Sequence, residues 1–469
     1  MKIIAISYLV VVLLSSCASF EPQPLSPADT IASYESRTLD NPDLQAFIQK
    51  NIKHELPTWP LPQWDFDLLT LAALYYHPDL DVARAKWDVA QAGVATAGMR
   101  PNPGINVNAQ RNADAPGGIS PWTLGLNLGI PIVTAGKRGY RIDQAHYLSE
   151  AVRLAIASTA WHVRSRLRNT LLDLYFARQI QTVLLQQQNL QQNNVALLEH
   201  RLAFGMASQP EVTQARIALH QTTLAFNETQ KLQAEARAKL ASALGVSSKA
   251  TDNISISWDT FTSIPEFPAG DVRQQALLSR PDILSALAEY AASQSALQLE
   301  IARQYPDLNL GPGYTWDAGA RIWSLGLSLT LPIFNQNQGP IAEAKAHRLQ
   351  AMANFNATQA RALGEIDTAL TGYQSIQTKL AAADVLLAEQ NKQLQNIKAS
   401  FKAGTTDKVA LLGTQLEMSQ IELSRIDVLA KTQQALGALE DAVQRPLIAP
   451  ALLQDAVQEN PRQTKENNK

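Results

Sequence analysis

The chain has 469 residues, and 40 lysines and arginines nearly balance 42 acidic residues, for a net charge of −2. That balance gives no electrostatic case for nucleic acid as a partner. A single cysteine, Cys17, excludes a disulfide within the chain and any cysteine-based metal site. Aromatic residues are only 6% while Ala and Gln are plentiful, a composition that suits long helices.

Lys2 and the apolar run from Ile3 to Leu14 read as a targeting segment, too short for a membrane-spanning helix. The run ends in Leu14-Ser15-Ser16-Cys17, which resembles a bacterial lipobox, in which the cysteine becomes the lipidated first residue. Residues 1–17 are therefore expected to be a lipoprotein signal peptide; an ordinary signal peptide with an incidental cysteine is the alternative. Ala18 rather than Asp follows the cysteine, which in lipoproteins of this kind implies transfer to the outer membrane. No later apolar run reaches about 18 residues, so no spanning helix is expected in the mature chain.

Residues 18–65, with Pro22, Pro24, Pro27, Pro42, Pro57, Pro60 and Pro62, predict an irregular N-terminal segment. Residues 66–100 then read as one Ala-rich helix capped by Asp65 or Asp67. Two alternating segments follow and pair as a hairpin over 103–131. In it Trp122, Leu124, Leu126, Leu128 and Ile130 alternate with small or polar residues, as do Ile105, Val107 and Ala109 upstream. Proline is then absent until Pro210, which predicts a long helix over 138–203, a turn at Gly205, and a helix over 208–245. Residues 247–270 join this first unit, 66–246, to a second, and Ile254 to Trp258 read there as a short strand.

The second unit, 271–446, repeats the first. Pro281 and Pro306 stand 203 residues after Pro78 and Pro103, and Trp323 stands 201 after Trp122. The repeat supplies a starting helix, a hairpin over 307–332, a long helix over 339–402, a turn at Gly404 and a helix over 406–445; a polar tail, 447–469, closes the chain. Repeats of this length mark a duplicated half rather than a solenoid unit. Stripes such as Leu167, Leu171, Leu174 and Gln181, or Leu380, Leu387, Leu394 and Phe401, suit helix-on-helix packing. Length, alternation and terminal tryptophans in both hairpins fit a membrane β-barrel, against a soluble sandwich with one wet face. Four strands cannot close such a barrel, and an open edge in lipid leaves backbone groups unpaired, so several chains must share one. Strand physics alone does not choose between two chains with eight strands and three with twelve.

These features resemble the TolC-like outer-membrane efflux family from about residue 66 to 446: the His77-Pro78 and Arg280-Pro281 starts, the twin hairpins, the long helices and the glycine-centred turns. The resemblance implies a mainly α fold with a β-hairpin in each half. Three chains would build a shared 12-stranded barrel in the outer membrane and a long α-helical barrel across the periplasm. Three phrases, Ala97-Gly98-Met99-Arg100-Pro101-Asn102-Pro103, Ala135-Gly136-Lys137-Arg138 and Asn335-Gln336-Asn337-Gln338-Gly339-Pro340, are similar to the heavy-metal (cobalt–zinc–cadmium type) branch. The implied function is a passive exit duct, not an enzyme, in a tripartite system with a periplasmic adaptor and an inner-membrane pump of the proton-driven type. An ATP-driven pump, and a drug-efflux or type I secretion duct, remain the alternatives; a coiled-coil scaffold lipoprotein would leave the hairpins unexplained.

Carried over residue by residue, the family's adaptor-contact tip falls on Arg201, Gly205 and Ser208 in the first half and Gly404 and Thr405 in the second. The glycines have a second reading as simple helix ends. The acidic ring that narrows the gate in relatives is absent, since Ala410 and Gly413 occupy its positions. The gate candidates here are Asp407 and Lys408, otherwise a solvated helix start, and Phe401, otherwise a packing residue. No cofactor site is expected: the seven histidines are scattered, and no phosphate loop or G-x-S-x-G motif occurs.

Overall fold

The structure, a computed structural model, describes residues 20–52, 56, 58–264 and 272–447. Cys17, with the rest of the expected signal peptide, and the tail beyond 447 lie outside the described residues. In the N-terminal segment the expectation of irregular chain is corrected. Helices α1 (Pro27–Glu35) and α2 (Pro42–Asn51) each begin on a proline, capped by the Ser26 and Asn41 side chains. Proline breaks helix interiors but suits the first turn, where its missing N–H has no partner to lose.

The single helix expected over 66–100 is likewise two, α3 (Phe66–Tyr76) and α4 (Pro78–Ala97). Asp65 caps α3, while His77 between the helices is extended at φ −70° and ψ 124°. The Pro78 ring disfavours helical backbone at the residue before it, so the break is local chemistry. His77 is buried, and its Nδ1 accepts the Asp79 N–H at 3.2 Å. Burial is the largest cause pushing its pKa below the usual histidine range. The sign follows: as pH falls below about 6.5 the unfolded chain binds a proton here that the folded chain resists, so stability is lost on the acid side. His77→Asn keeps a capping acceptor without the titration. Thermal unfolding at pH 5 and 7.5 is expected to show a smaller acid loss in the variant, by up to about 1.4 kcal/mol per pH unit.

The chain continues through β1 (Gly104–Arg111) and β2 (Trp122–Ile132) into α5 (Lys137–Ala203) and α6 (Gln209–Leu244). The joining segment holds a 3₁₀ turn, Ser248–Thr251, and a short α7 (Asp259–Thr262). The strand expected at 254–258 reduces to one isolated bridge, Trp64 to Ile256. The second half follows as α8 (Val272–Ser279), α9 (Pro281–Ala302), β3 (Leu308–Asp317), β4 (Ala320–Leu329), α10 (Gln338–Lys402) and α11 (Lys408–Val443).

At about 1.5 Å per residue, α5 with 67 residues and α10 with 65 each run about 100 Å. α5 packs on α6 and α11, and α10 on α11, so toward the glycine turns the helices form a row α6–α5–α11–α10. Toward the strands α4 takes the outer place of α6 and α9 the inner place of α11, giving α4–α5–α9–α10. The main core lies where α3 enters this row. Leu69, Leu71 and Leu74 meet Leu167, Leu171, Leu240, Leu244 and Phe261, all fully or almost fully buried.

The four strands make one antiparallel sheet in the order β1-β2-β3-β4. β2 and β3 hold the centre; β1 and β4 are edges exposed along their whole length. Trp323, Leu325, Leu327 and Leu329 are 80, 73, 62 and 46% exposed, an apolar face that water does not explain. No described helix is long and apolar enough to cross a membrane.

Candidate functional site: the paired turns at the helical tip

The α5–α6 and α10–α11 turns lie side by side at one end of the row. In the first, Gly205 has φ 68°, its N–H donates to Leu202 O, and the Met206 N–H reaches back to Arg201 O at 2.8 Å. In the second, Gly404 has φ 77°, and both the N–H and the hydroxyl of Thr405 donate to Ser400 O. Left-handed backbone followed by a back-reaching N–H is how glycine ends a helix. The next helices start on caps. Ser208 donates from its N–H and hydroxyl to Glu211 at 2.6 and 2.7 Å, and Asp407 accepts the Ala410 N–H at 2.9 Å.

Arg201 and Asp407, placed by the sequence in different roles, meet here: the guanidinium Nη2 lies 2.8 Å from the carboxylate Oδ2. This ion pair ties the two turns together across 206 residues of sequence. The Ala410 N–H, and after it Arg201, hold the Asp407 carboxyl below the usual carboxylate range. The pair is therefore complete at neutral pH and is lost only as pH falls through that lowered value. Lys408 and Phe401 are exposed beside it. Phe204 and Met206, 66 and 65% exposed, were missed by sequence reasoning; large apolar side chains flanking a turn glycine were the available signal.

The Outer membrane efflux protein family matches residues 70–246 and 272–443, both repeats and most of the chain. The chain belongs to this family. As a member it is an outer-membrane efflux channel component with its helical part on the periplasmic side. Among relatives, the cobalt-zinc-cadmium resistance protein CzcC of Cupriavidus metallidurans is 23% identical over 368 residues, 77% of this chain and 85% of its own. The cation efflux system protein CusC of Escherichia coli K12 is 25% identical over 248 residues, 50% of this chain and 54% of its own. The pyoverdine export outer membrane protein OpmQ of Pseudomonas aeruginosa is 24% identical over 411 residues, 80% and 85% of the two chains. A crystal structure of CusC superposes with a TM-score of 0.67 at 20% identity, covering 91% of this chain and 99% of that one. The structure of VceC from Vibrio cholerae gives 0.66 at 19% identity, covering 81% and 96%.

Proposed function

We propose that three copies of this efflux channel form a passive exit duct for heavy-metal cations, fed by a periplasmic adaptor and a proton-driven inner-membrane pump. The supporting observation is that the sheet and the helix row both stop at open edges. β1 and β4 leave backbone groups unpaired, and α6 and α10 expose Ile217, Leu224, Val385 and Leu386. Closing both edges head to tail makes a ring, and three copies give twelve strands, within the range of membrane barrels. Lipid on Cys17 would anchor each copy to the outer membrane.

The metal cargo rests on CzcC and CusC, whose names concern cobalt, zinc, cadmium and cations. The match to OpmQ over most of the chain favours a second reading, export of a small organic molecule. A deletion strain grown on Zn, Co, Cd, Ni, Cu and Ag salts and on antibiotics separates them: sensitivity to metal salts supports the first, and sensitivity to organic compounds alone overturns it.

In this reading the adaptor meets Arg201, Gly205, Ser208, Gly404 and Thr405, and the gate is the ring of Asp407, Lys408 and Phe401. The Arg201–Asp407 pair holds the resting gate. One exposed pair contributes at most about 1 kcal/mol, so three acting together hold a two-state tip by a few kcal/mol. Asp407→Ala is expected to admit a large hydrophilic antibiotic, with a several-fold fall in the inhibitory concentration at unchanged trimer level. The exchange Arg201→Asp with Asp407→Arg should restore exclusion. Unchanged sensitivity in the single variant would remove the pair from the gate.

A further inference from the structure

Each half makes the same strand-to-helix junction, but among the described residues only the first reaches across to the other half of the chain. There Ala135 and Gly136 turn through left-handed backbone, with φ 56° and 72°. The next polar side chains cross to the start of the second half. The Thr134 hydroxyl donates to Pro306 O at 2.6 Å, and the Lys137 ammonium donates to Tyr305 O at 2.6 Å and to the Asp307 carboxylate at 2.8 Å. Beside this joint β2 runs on to Ile132, with Ile130, Pro131 and Ile132 opposite Leu310, Asn309 and Leu308.

In the second half Asn337 makes the turn at φ 62°, and its amide clasps Glu300 O at 2.7 Å, much as Arg138 clasps Gly98 O at 2.6 Å. At the offset of 201 residues, Asn335 stands for Thr134, Gln338 for Lys137 and Ile333 for Ile132. β4 ends at Leu329, where β3 runs out, and Leu331, Ile333 and Phe334 beyond it are 64, 68 and 96% exposed. The side-chain carbonyls of Asn335 and Gln338 accept the N–H groups of Asn337 and Gln336, each at 2.8 Å, which leaves their NH₂ donors for another acceptor. The matching acceptors are Asn102, Pro103 and Gly104, 203 residues before Tyr305, Pro306 and Asp307, and all three are exposed.

The offsets hold in three dimensions. Ile105 faces Leu128 in the first hairpin, and their equivalents Leu308 and Leu329 face each other in the second. We propose, resting on the trimeric reading above, that the second junction of one copy closes on Asn102-Pro103-Gly104 of the next. The Asn335 amide donates to the partner's Pro103 carbonyl, and the Gln338 amide to the partner's Asn102 carbonyl. The backbone from Leu329 to Ile333 extends β4, with Leu329 opposite the partner's Ala109, Leu331 opposite the partner's Val107 and Ile333 opposite the partner's Ile105. The chemistry of the swap agrees. Where the acceptor side has Asp307 the donor is Lys137, and where it has Gly104 the donor is the neutral Gln338, because an ammonium facing no carboxylate would be left uncompensated.

Disulfide trapping in the full-length protein tests the register. Facing residues on antiparallel strands lie about 4.5–5.5 Å apart, within disulfide reach, while residues two positions off lie about 7–8 Å apart and outside it. Val107→Cys with Leu331→Cys, and Ala109→Cys with Leu329→Cys, are expected to give two-chain and three-chain bands that collapse on reduction. Ala109→Cys with Leu331→Cys should not. Trimers seen by mass in detergent with both matched pairs untrapped, or with the mismatched pair trapped, would overturn the joint and leave the trimer standing. Absence of any trimer by mass would overturn the trimeric reading and the joint with it. A charge transplant reads the same contact a second way. Gln338→Lys should lower the temperature at which the trimer dissociates, and adding Gly104→Asp should restore it. A Cβ at Gly104 meets nothing within 4 Å in its own chain, so failure of that rescue counts against the joint.

Discussion

Glutamine in place of Glu440 will destabilise the folded chain by about 3–5 kcal/mol, the cost of leaving buried cations without their counter-charge. The Glu440 Oε2 lies 3.0 Å from Arg164 Nη1 and 3.7 Å from Arg168 Nε, and all three side chains are about 5% exposed. Burial already pulls the Arg168 pKa down, with Glu440 the main opposing influence. The neighbours are committed elsewhere. Arg168 also donates to Gln433 O at 2.8 Å and Oε1 at 3.1 Å, while the Gln433 amide is held by Phe261 O and Ser263 O. The Arg164 guanidinium sits over the Phe66 ring at 4.7 Å and the Trp161 ring at 4.8 Å, positions that exclude water. Glutamine keeps the size and removes the charge, so two guanidinium ions would share a dry site. Chemical denaturation of the detergent-solubilised protein should show the loss. The exposed Glu199, paired with Arg216, is the control, and Glu199→Gln should change stability by no more than about 0.5 kcal/mol. Equal effects at the two positions would mean that the Arg164–Arg168–Glu440 cluster is not a point of support between α5 and α11.

The contrast between what the sequence disclosed and what it hid follows from range. Strand alternation, proline spacing and the two glycine turns act over a few residues, and the repeat doubles each signal, so the order of strands and long helices could be read directly. The break at His77 was equally local, since Pro78 announces it, but the Ala-rich run on either side masked it. The N-terminal helices were missed because proline was read only as a breaker, although Ser26 and Asn41 before Pro27 and Pro42 are ordinary start signals. Arg164 with Glu440, and Arg201 with Asp407, are separated by 276 and 206 residues. Both tip residues were legible as candidates, but their pairing depends on α5 and α11 being neighbours, which no local pattern encodes. The role of the branch-like phrases was hidden for the same reason: Lys137 finds Asp307 only once the sheet order is known.

Gly245→Ala should cost about 3 kcal/mol or more and leave little folded protein. Gly245 follows α6 at φ 73°, a conformation that costs an L-residue about 1–2 kcal/mol by itself. The larger effect is steric. A Cβ there would lie 2.7 Å from Tyr76 O and 2.9 Å from both Tyr76 C and His77 Cα, all backbone atoms at the fixed break between α3 and α4. Backbone cannot swing aside as a side chain can, so either α6 or the α3–α4 corner must move, and overpacking of this kind adds about 1–3 kcal/mol. Other contacts hold the corner shut. Arg37 Nη1 donates to Tyr76 O at 2.9 Å and to Gly245 O at 2.7 Å, and the Tyr34 hydroxyl donates to Val246 O at 2.8 Å. Two positions separate strain from contact. Gly205 has φ 68° but nothing within 4 Å of its Cβ site, so Gly205→Ala should cost only the conformational share, about 1–2 kcal/mol. Gln444, which ends α11 at φ 49° and stands 199 residues after Gly245, already carries a side chain in left-handed backbone. Because Gln444 tolerates that geometry, the need for glycine at 245 comes from the approach of Tyr76 and His77 rather than from φ. Heat stability of the detergent-solubilised protein should therefore fall far more for Gly245→Ala than for Gly205→Ala. Equal losses would place the whole cost in the backbone conformation and remove the α3–α4 corner from the account.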